Sequence, residues 1–332
     1  MTYKLIVPLT FFLLIPNLYS DSFSIMNFNA QNLFDTLDDV DKDDKAYLPI
    51  EQKQSFEHRD SCNNINVKAW RMECLYLDWN IKTKEIKLKN LAQSIISYQG
   101  KGADIVALQE IENMNILGQL FELLKPYGYI DYSLLESTDD RGIDTAFISK
   151  FKINNPKLHY VKFSPKYETK DTRPIFEITI MFEEKLVKIY NVHFPSNFND
   201  LEMRLESFDL LKKLSKSHSY PSIALGDFNV SSKDDDEKGV YKSQEDHWYV
   251  AHREACKGCK GTFFYNYRKS WDYLDSILIS RDREISFDKQ SINVHKTKFN
   301  TYKDTGKPYR FDGKTGKGVS DHFPMVARIN LD

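Results

Sequence analysis

The chain has 332 residues, of which 41% are hydrophobic, 28% charged and 14% aromatic, with 13 Gly and 11 Pro. That composition excludes collagen-like, low-complexity and mostly disordered polymers. The formal charge of −2, from 46 Lys and Arg against 48 Asp and Glu, excludes a uniformly basic nucleic-acid coat, although such an average hides local fields.

Lys4 followed by the apolar run Leu5 to Ile15 has the pattern of a secretory signal, too short for a membrane span of about 20 residues. Residues 1–20 are expected to be removed on export to the periplasm or beyond, leaving 21–332 with no further long apolar run. The four cysteines agree with an oxidising compartment. Cys62 with Cys74 and Cys256 with Cys259 is the expected pairing. Cys256-Lys-Gly-Cys259 is also half of a zinc site, and its spacing does not choose between them.

Phe23–Phe28 alternates as a strand does. Asp35 to Asp44 follows, with six Asp and one Lys. It lacks the central Gly and final Glu of a calcium loop, so a solvated turn is expected. Residues 45–80 read as irregular. Lys84–Tyr98 has the apolar spacing of a helix, stopped by Gly100-Lys-Gly102. A strand at Asp104–Leu108 ends in Gln109-Glu110, and a helix covers about Met114–Lys125. Further strands are expected at Thr145–Ile148, Phe176–Phe182, Val187–Val192, Ser222–Leu225, Tyr273–Ile279 and Phe323–Ile329, with a helix over Leu201–Ser217. Phe263–Tyr267 reads as core strand. At about 150 residues per domain the length permits two domains, but the mixture of strands and helices, with no Pro- or Gly-rich linker, favours one.

Polar residues cluster at strand ends, where loops build sites on a rigid scaffold: Asn29, Glu110, His193, Asp227 with Asn229, and Asp321 with His322. Asp275 falls inside the expected strand Tyr273–Ile279, where a buried charge needs a partner. These residues lie in Asn29-Ala-Gln-Asn-Leu-Phe-Asp35, Leu108-Gln-Glu-Ile111, Arg141-Gly-Ile-Asp144, Asn191-Val-His-Phe-Pro-Ser196, Gly226-Asp-Phe-Asn229, Trp271-Asp-Tyr-Leu-Asp275 and Ser320-Asp-His-Phe-Pro324. In that order, over nearly the whole chain, they closely resemble the endonuclease/exonuclease/phosphatase family of DNase-I-like phosphodiesterases.

The resemblance implies a four-layered α/β sandwich, two packed mixed sheets flanked by helices. It implies Glu110 as chief metal ligand with Asn29 and Asp321 nearby, a hard oxygen set suited to Mg²⁺, or to Mn²⁺ or Ca²⁺. His322 is expected to act on the attacking water, with Asp275 orienting it. Asp227 would align the water or bind a second metal, and Asn229 and His193 would donate to the scissile phosphate. Arg141 would grip phosphate or pair with Asp144, itself a candidate substrate contact, and Arg173 is a further phosphate candidate. Gln31 stands where many nuclease relatives carry an acid.

Two segments, 150–173 and 296–317, each carry seven Lys or Arg against two acids, which suits a polyanion. The expected activity is sequence-nonspecific hydrolysis of nucleic acid by a monomer with no integral membrane segment. A phospholipid phosphodiesterase of sphingomyelinase type is the alternative and requires exposure of Trp248 and Phe263–Tyr267. A binding protein on the same scaffold would have lost the site residues, which this sequence keeps.

Overall fold

The computed structural model describes residues 22–331 except 171, 257 and 282; the expected signal segment lies outside them. The chain order is β1 (Ser22–Leu33), α1 (Phe56–Asn63), α2 (Lys68–Tyr76), α3 (Ile81–Ile96), β2 (Ile105–Ile111), α4 (Met114–Leu124), β3 (Asp131–Leu134), β4 (Asp144–Ser149), β5 (Asn154–His159), β6 (Ile175–Phe182), β7 (Lys185–His193), α5 (Leu201–Lys216), β8 (Ser222–Asp227), β9 (Trp248–Val250), β10 (Phe263–Tyr265), β11 (Ser270–Asp272), β12 (Asp275–Ser280), β13 (Ser286–Val294) and β14 (Met325–Asn330). One sheet runs β13-β14-β1-β2-β4-β3 and the other β5-β6-β7-β8-β12-β9, with β10-β11 a separate ribbon.

The apolar residues dictate the layering. Ile25, Ile105, Ala107 and Met325 from the first sheet meet Ile178, Ile189, Leu225 and Ile277 from the second in one buried core. The outer face of the first sheet, with Met26, Val106 and Ile148, is covered by Leu91 and Ile95 of α3 and Leu117 and Leu120 of α4. The outer face of the second, with Tyr190 and Ala224, is covered by Phe208 and Leu211 of α5. Strands buried on both faces read as continuous apolar runs, as β8 does. The result is the four-layered sandwich expected from sequence.

Local chemistry sets the element boundaries. α3 starts at Ile81, ahead of the expected Lys84, because the Asn80 side chain caps it by accepting from Thr83 N at 3.0 Å. α4 begins where Asn113 accepts from Ile116 N at 3.0 Å. The stretch read as irregular holds α1 and α2, fastened by Cys62–Cys74; Cys256 pairs with Cys259. With each sulfur bonded to another, the zinc reading of Cys256-Lys-Gly-Cys259 falls away.

Other expectations are corrected. Phe263–Tyr267 is not core strand. It belongs to the β10-β11 ribbon, whose turn exposes Tyr265 and Tyr267. Asp275 opens β12 rather than lying within a strand. The acidic loop is only partly solvated: Asp35 and Asp44 are buried, and Asp35 N donates to Glu112 Oε2 at 2.6 Å. Lys150 and Lys152 of the first basic segment pair with Asp104 and Asp131, at the end of the sheet opposite the polar strand ends.

The topology also decides where those motifs meet. β1 and β2 run parallel, as do β7 and β8, while β14 is antiparallel to β1 and β12 is antiparallel to β8. The C-terminal ends of β1, β2, β7 and β8 therefore share an edge with the starts of β12 and β14. That edge carries every polar strand end picked out in the sequence.

Beside this core, Glu177 of β6 joins the outer strands of the second sheet, meeting His159 of β5 at 2.8 Å and Lys188 of β7. Burial works to raise the Glu177 carboxyl, but His159 and Lys188 outweigh it and hold it down at about 2, against an ordinary 4.5. A carboxylate depressed in the folded state contributes stability fully above its unfolded pKa and loses it as pH falls through its folded pKa. Thermal melts of Glu177→Gln should therefore lie below wild type at pH 6 and approach it as pH falls from about 4.5 toward 2. A constant gap across that window would contradict the assignment.

Candidate active site

The two parallel strand pairs reach the shared edge through irregular backbone. The β1–β2 register shifts between Asn29 and Leu33, and the β2–β4 register shifts between Gln109 and Ile111. Gln31, Asn32, Glu110 and Asn229 all have left-handed φ between 52° and 63°. Such bulges and strained residues re-aim side chains at the ends of strands, and here they turn Glu110 toward Asn29.

Four polar groups converge there. The Asn29 amide nitrogen lies 3.3 Å from Glu110 Oε1 and 3.1 Å from Asp227 Oδ2. His193 Nε2 lies 3.9 Å and 3.7 Å from the same two oxygens. Asn32 N donates to Glu110 Oε2 at 2.9 Å. Asn29 Oδ1 accepts from Gln31 N at 2.9 Å, so the NH₂ rather than the carbonyl of this expected ligand faces the carboxylates. Gln31 Oε1 accepts from Phe311 N at 3.0 Å.

Next to this group, His322 Nδ1 lies 2.7 Å from Asp275 Oδ2. Asp275 is wholly buried, and its second oxygen accepts from the Asn27 amide at 3.1 Å. It faces Asp227 across the β12–β8 register. Asp227, Asp275 and His322 each offer a donor atom within 4.8 Å of the others. Burial raises the Asp227 carboxyl to about 7, with Asp275 adding to the effect. For His322, burial works to lower the imidazole, but Asp275, Asp227 and Asp321 outweigh it and push it up to about 10. His193 is driven well below its ordinary value, first by burial and then by the charges of Arg173, Arg141 and His322. Its buried Nδ1 lacks a partner. It is not the satisfied core histidine that a bland reading of the sequence would allow.

The basic residues divide. Arg173 is half-buried beside His193, held by Asp139 at 3.2 Å and by the Phe194 carbonyl at 3.3 Å, with Nε unpartnered. Arg141 is exposed and donates to Asn32 Oδ1 at 3.2 Å. It does not pair with Asp144, whose two oxygens accept from Ser137 N at 3.1 and 3.2 Å. Asp144 is buried and shapes the loop that carries Arg141. Asn229 donates from its amide to the Phe194 carbonyl at 3.0 Å, while its backbone N–H holds Asp227 Oδ1 at 2.9 Å. Asp321 lies at the rim, 3.4 Å from Arg310.

Several contributors escaped the sequence reading. Asn27 fixes Asp275. Gln109 and Asn191 tie the two sheets at 2.7 Å beneath the site. Lys87, on a helix face read as apolar, is buried with Nζ 2.6 Å from the Val319 carbonyl. Burial lowers it to about 7, against the opposing pull of Asp321 and Glu110. Two signals were available in the sequence: Asn27 precedes Asn29 by one strand period, on the same face, and Lys87 interrupts an apolar stripe.

The donor set fits a hard divalent cation. Glu110 and Asp227 aim oxygens at the same two nitrogens, and no lysine or arginine salt bridge reaches either of them among the described residues. Crowded carboxylates in that arrangement repel one another unless a cation or proton joins them.

The sequence model of the endonuclease/exonuclease/phosphatase family matches residues 72–331. Among solved structures, a family protein from Bacteroides thetaiotaomicron is 18% identical, with a TM-score of 0.57 over 94% of this chain and 98% of that one. The mannosyl-6-phosphatase of the same organism is 17% identical, TM-score 0.57, over 93% and 100%. Truncated TDP2 of Caenorhabditis elegans is 13% identical, TM-score 0.54, over 93% and 98%. No curated protein matches the chain.

Gly226, immediately before Asp227, has φ 148°, and a Cβ there would meet the Val192 carbonyl oxygen at 2.0 Å. Gly226→Ala should destabilise the fold by about 1–3 kcal/mol through overpacking and displace Asp227, seen as a lower melting temperature. An unchanged melt would show that β7 and β8 separate freely at this point.

Proposed function

The chain belongs to the endonuclease/exonuclease/phosphatase family, whose members hydrolyse phosphoester bonds with divalent metals, and on that footing we propose that it is a secreted, Mg²⁺-dependent nuclease acting without sequence preference. The observation that carries the proposal is the buried Asp275–His322 pair beside Asp227. Such a pair is the machinery for activating water, and the resemblance of the surrounding motifs extends to nuclease-type relatives.

In this reading Glu110 and Asp321, with Asn29 beside them, hold Mg²⁺, for which Mn²⁺ or Ca²⁺ could substitute. The bound cation supplies charge stabilisation at the phosphate oxygens. His322 uses Nδ1–H on Asp275, leaving Nε2 of the neutral ring to accept the proton of the attacking water. Asp275 fixes that tautomer and stabilises the imidazolium that forms. The base must be neutral to act, so the charges of Asp227 and Asp321 that push it up have to be offset in the working enzyme. Asp227 accepts a hydrogen bond from the water and orients it. His193, donating from Nε2, and the guanidinium groups of Arg141 and Arg173 face the charge that grows on the phosphate.

Three features support a polyanionic chain as substrate. Arg141 stands exposed at the rim, half-buried Arg173 keeps its Nε unpartnered, and the second basic segment, 296–317, leads into Ser320-Asp-His322. The lipid alternative is less well supported. Trp248, which it needs exposed, is wholly buried, and the exposed turn of the β10-β11 ribbon carries Arg268 and Lys269 beside its tyrosines. Export is supported by the N-terminal sequence pattern and by the two disulfides. A single domain is supported by the spread of site residues from Asn29 to His322.

A panel of plasmid DNA, RNA, sphingomyelin and a small bis-phosphoester, each with and without EDTA, tests the reading. Nucleic acid should be cleaved in an EDTA-sensitive way. His322→Ala should lose about 10²–10⁴ in rate while keeping its circular dichroism. Lipid cleavage without nucleic-acid cleavage, or full activity in His322→Ala, would overturn it.

A further inference from the structure

A cavity of about 350 Å³ opens beside the catalytic edge, within the size range of small-ligand sites. One wall is α2, which presents Met72 and Tyr76. The segment after β13 contributes Tyr302, Arg310 and Lys314, and Tyr47 is also part of the lining. Met72, Tyr76 and Tyr302 are exposed although they line a concavity.

The walls are built to hold their shape. Cys74 ties α2 to Cys62 of α1. Lys53 is buried, and its Nζ reaches the Ala46 and Leu77 carbonyls at 2.7 Å each, joining the end of α2 to the segment before Tyr47. Tyr47 stacks on Phe34 at 4.1 Å and meets Trp79 edge-on. Tyr302 lies against Tyr309 at 4.0 Å.

The cavity is continuous with the site. Asn32, part of its lining, holds Glu110 through its backbone N–H. Arg310 spans the junction, 3.6 Å from Glu73 on the α2 wall and 3.4 Å from Asp321. A group in the cavity is therefore covalently within reach of a phosphate held at Glu110 and Asp321.

The lining selects the chemistry of that group. An acyl chain would strip water from Lys314 and from the half-exposed Arg310–Glu73 pair and return no hydrogen bond to either, which is costly. A bare sugar would leave Met72, Tyr76 and Tyr302 uncovered. A flat heteroaromatic ring meets both demands, its faces on the rings and the thioether and its polar edge toward the charged side chains. Resting on the nuclease reading above, we propose that this cavity receives the base of the nucleotide adjoining the scissile phosphate, stacked on Tyr302 and Tyr76, so that the enzyme prefers unpaired nucleic acid whose bases can turn outward.

The test is steady-state kinetics on a single-stranded DNA hexamer and on the same hexamer built of abasic nucleotides, with the full chain and Mg²⁺. Tyr302→Ala should raise KM for the hexamer about tenfold, the loss of one stacking contact. It should leave kcat within about twofold and leave the abasic substrate unaffected. Tyr302→Phe, which keeps the ring, should behave as wild type, and melts of both variants check the fold. An unchanged KM in Tyr302→Ala, or an equal rise on both substrates, would overturn the inference while leaving the nuclease reading intact. Failure of the wild-type enzyme to cleave either hexamer or plasmid DNA would overturn the nuclease reading and the inference with it.

Discussion

Everything at the catalytic edge depends on one buried contact, the 2.7 Å approach of His322 Nδ1 to Asp275 Oδ2. A carboxylate with no exposure is costly unless its charge is met. Here one oxygen takes the imidazole and the other takes the Asn27 amide. The contact joins three separate parts of the chain: the first strand, the start of β12 and the turn before β14. The two sheets bring these together, and Gln109 and Asn191 lock the sheets beneath them. The fold supplies a buried imidazole held through Nδ1, the arrangement the proposed base requires.

Around that pair the structure accumulates negative charge. Glu110, Asp227, Asp275 and Asp321 crowd one end of the sandwich. The cost shows in the raised carboxyl of Asp227 and in the imidazole of His322, held up against the effect of burial. Strained backbone at Gln31, Asn32, Glu110 and Asn229 adds to it. Carboxylate crowding and left-handed residues at one edge are a burden for stability alone and make sense for a site that receives a cation and a phosphate. Lys87, buried beneath the site, is lowered by burial while Asp321 and Glu110 pull the other way.

Much of this was legible in the sequence because polar groups at strand ends leave a pattern of apolar run then polar residue. Glu110 after Ile105–Leu108 and Asp227 after Ser222–Leu225 are of that kind, and the sandwich follows from the same runs. Contacts between residues far apart in the chain were not legible. Arg141 followed by Asp144 looks like an ion pair in sequence, yet the backbone turn gives Asp144 to Ser137 and Arg141 to Asn32. Phe263–Tyr267 has the composition of a core strand, but its partner strand β11 is only three residues long, so the aromatics stand outside both sheets. The helices between residues 56 and 76 were invisible because the Cys62–Cys74 link and the buried Lys53 hold them, rather than any strong apolar stripe.

The account stands on Asp275 acting through His322, and Asp275→Asn tests it most directly. The amide keeps the size of the side chain but offers the ring a donor or a weaker acceptor, so the tautomer and the imidazolium lose their support. Single-turnover rates of the Mg²⁺-loaded variant on plasmid DNA should fall by about 10²–10⁴, with substrate affinity and melting profile close to wild type. A wild-type single-turnover rate in a folded Asp275→Asn protein would contradict the account.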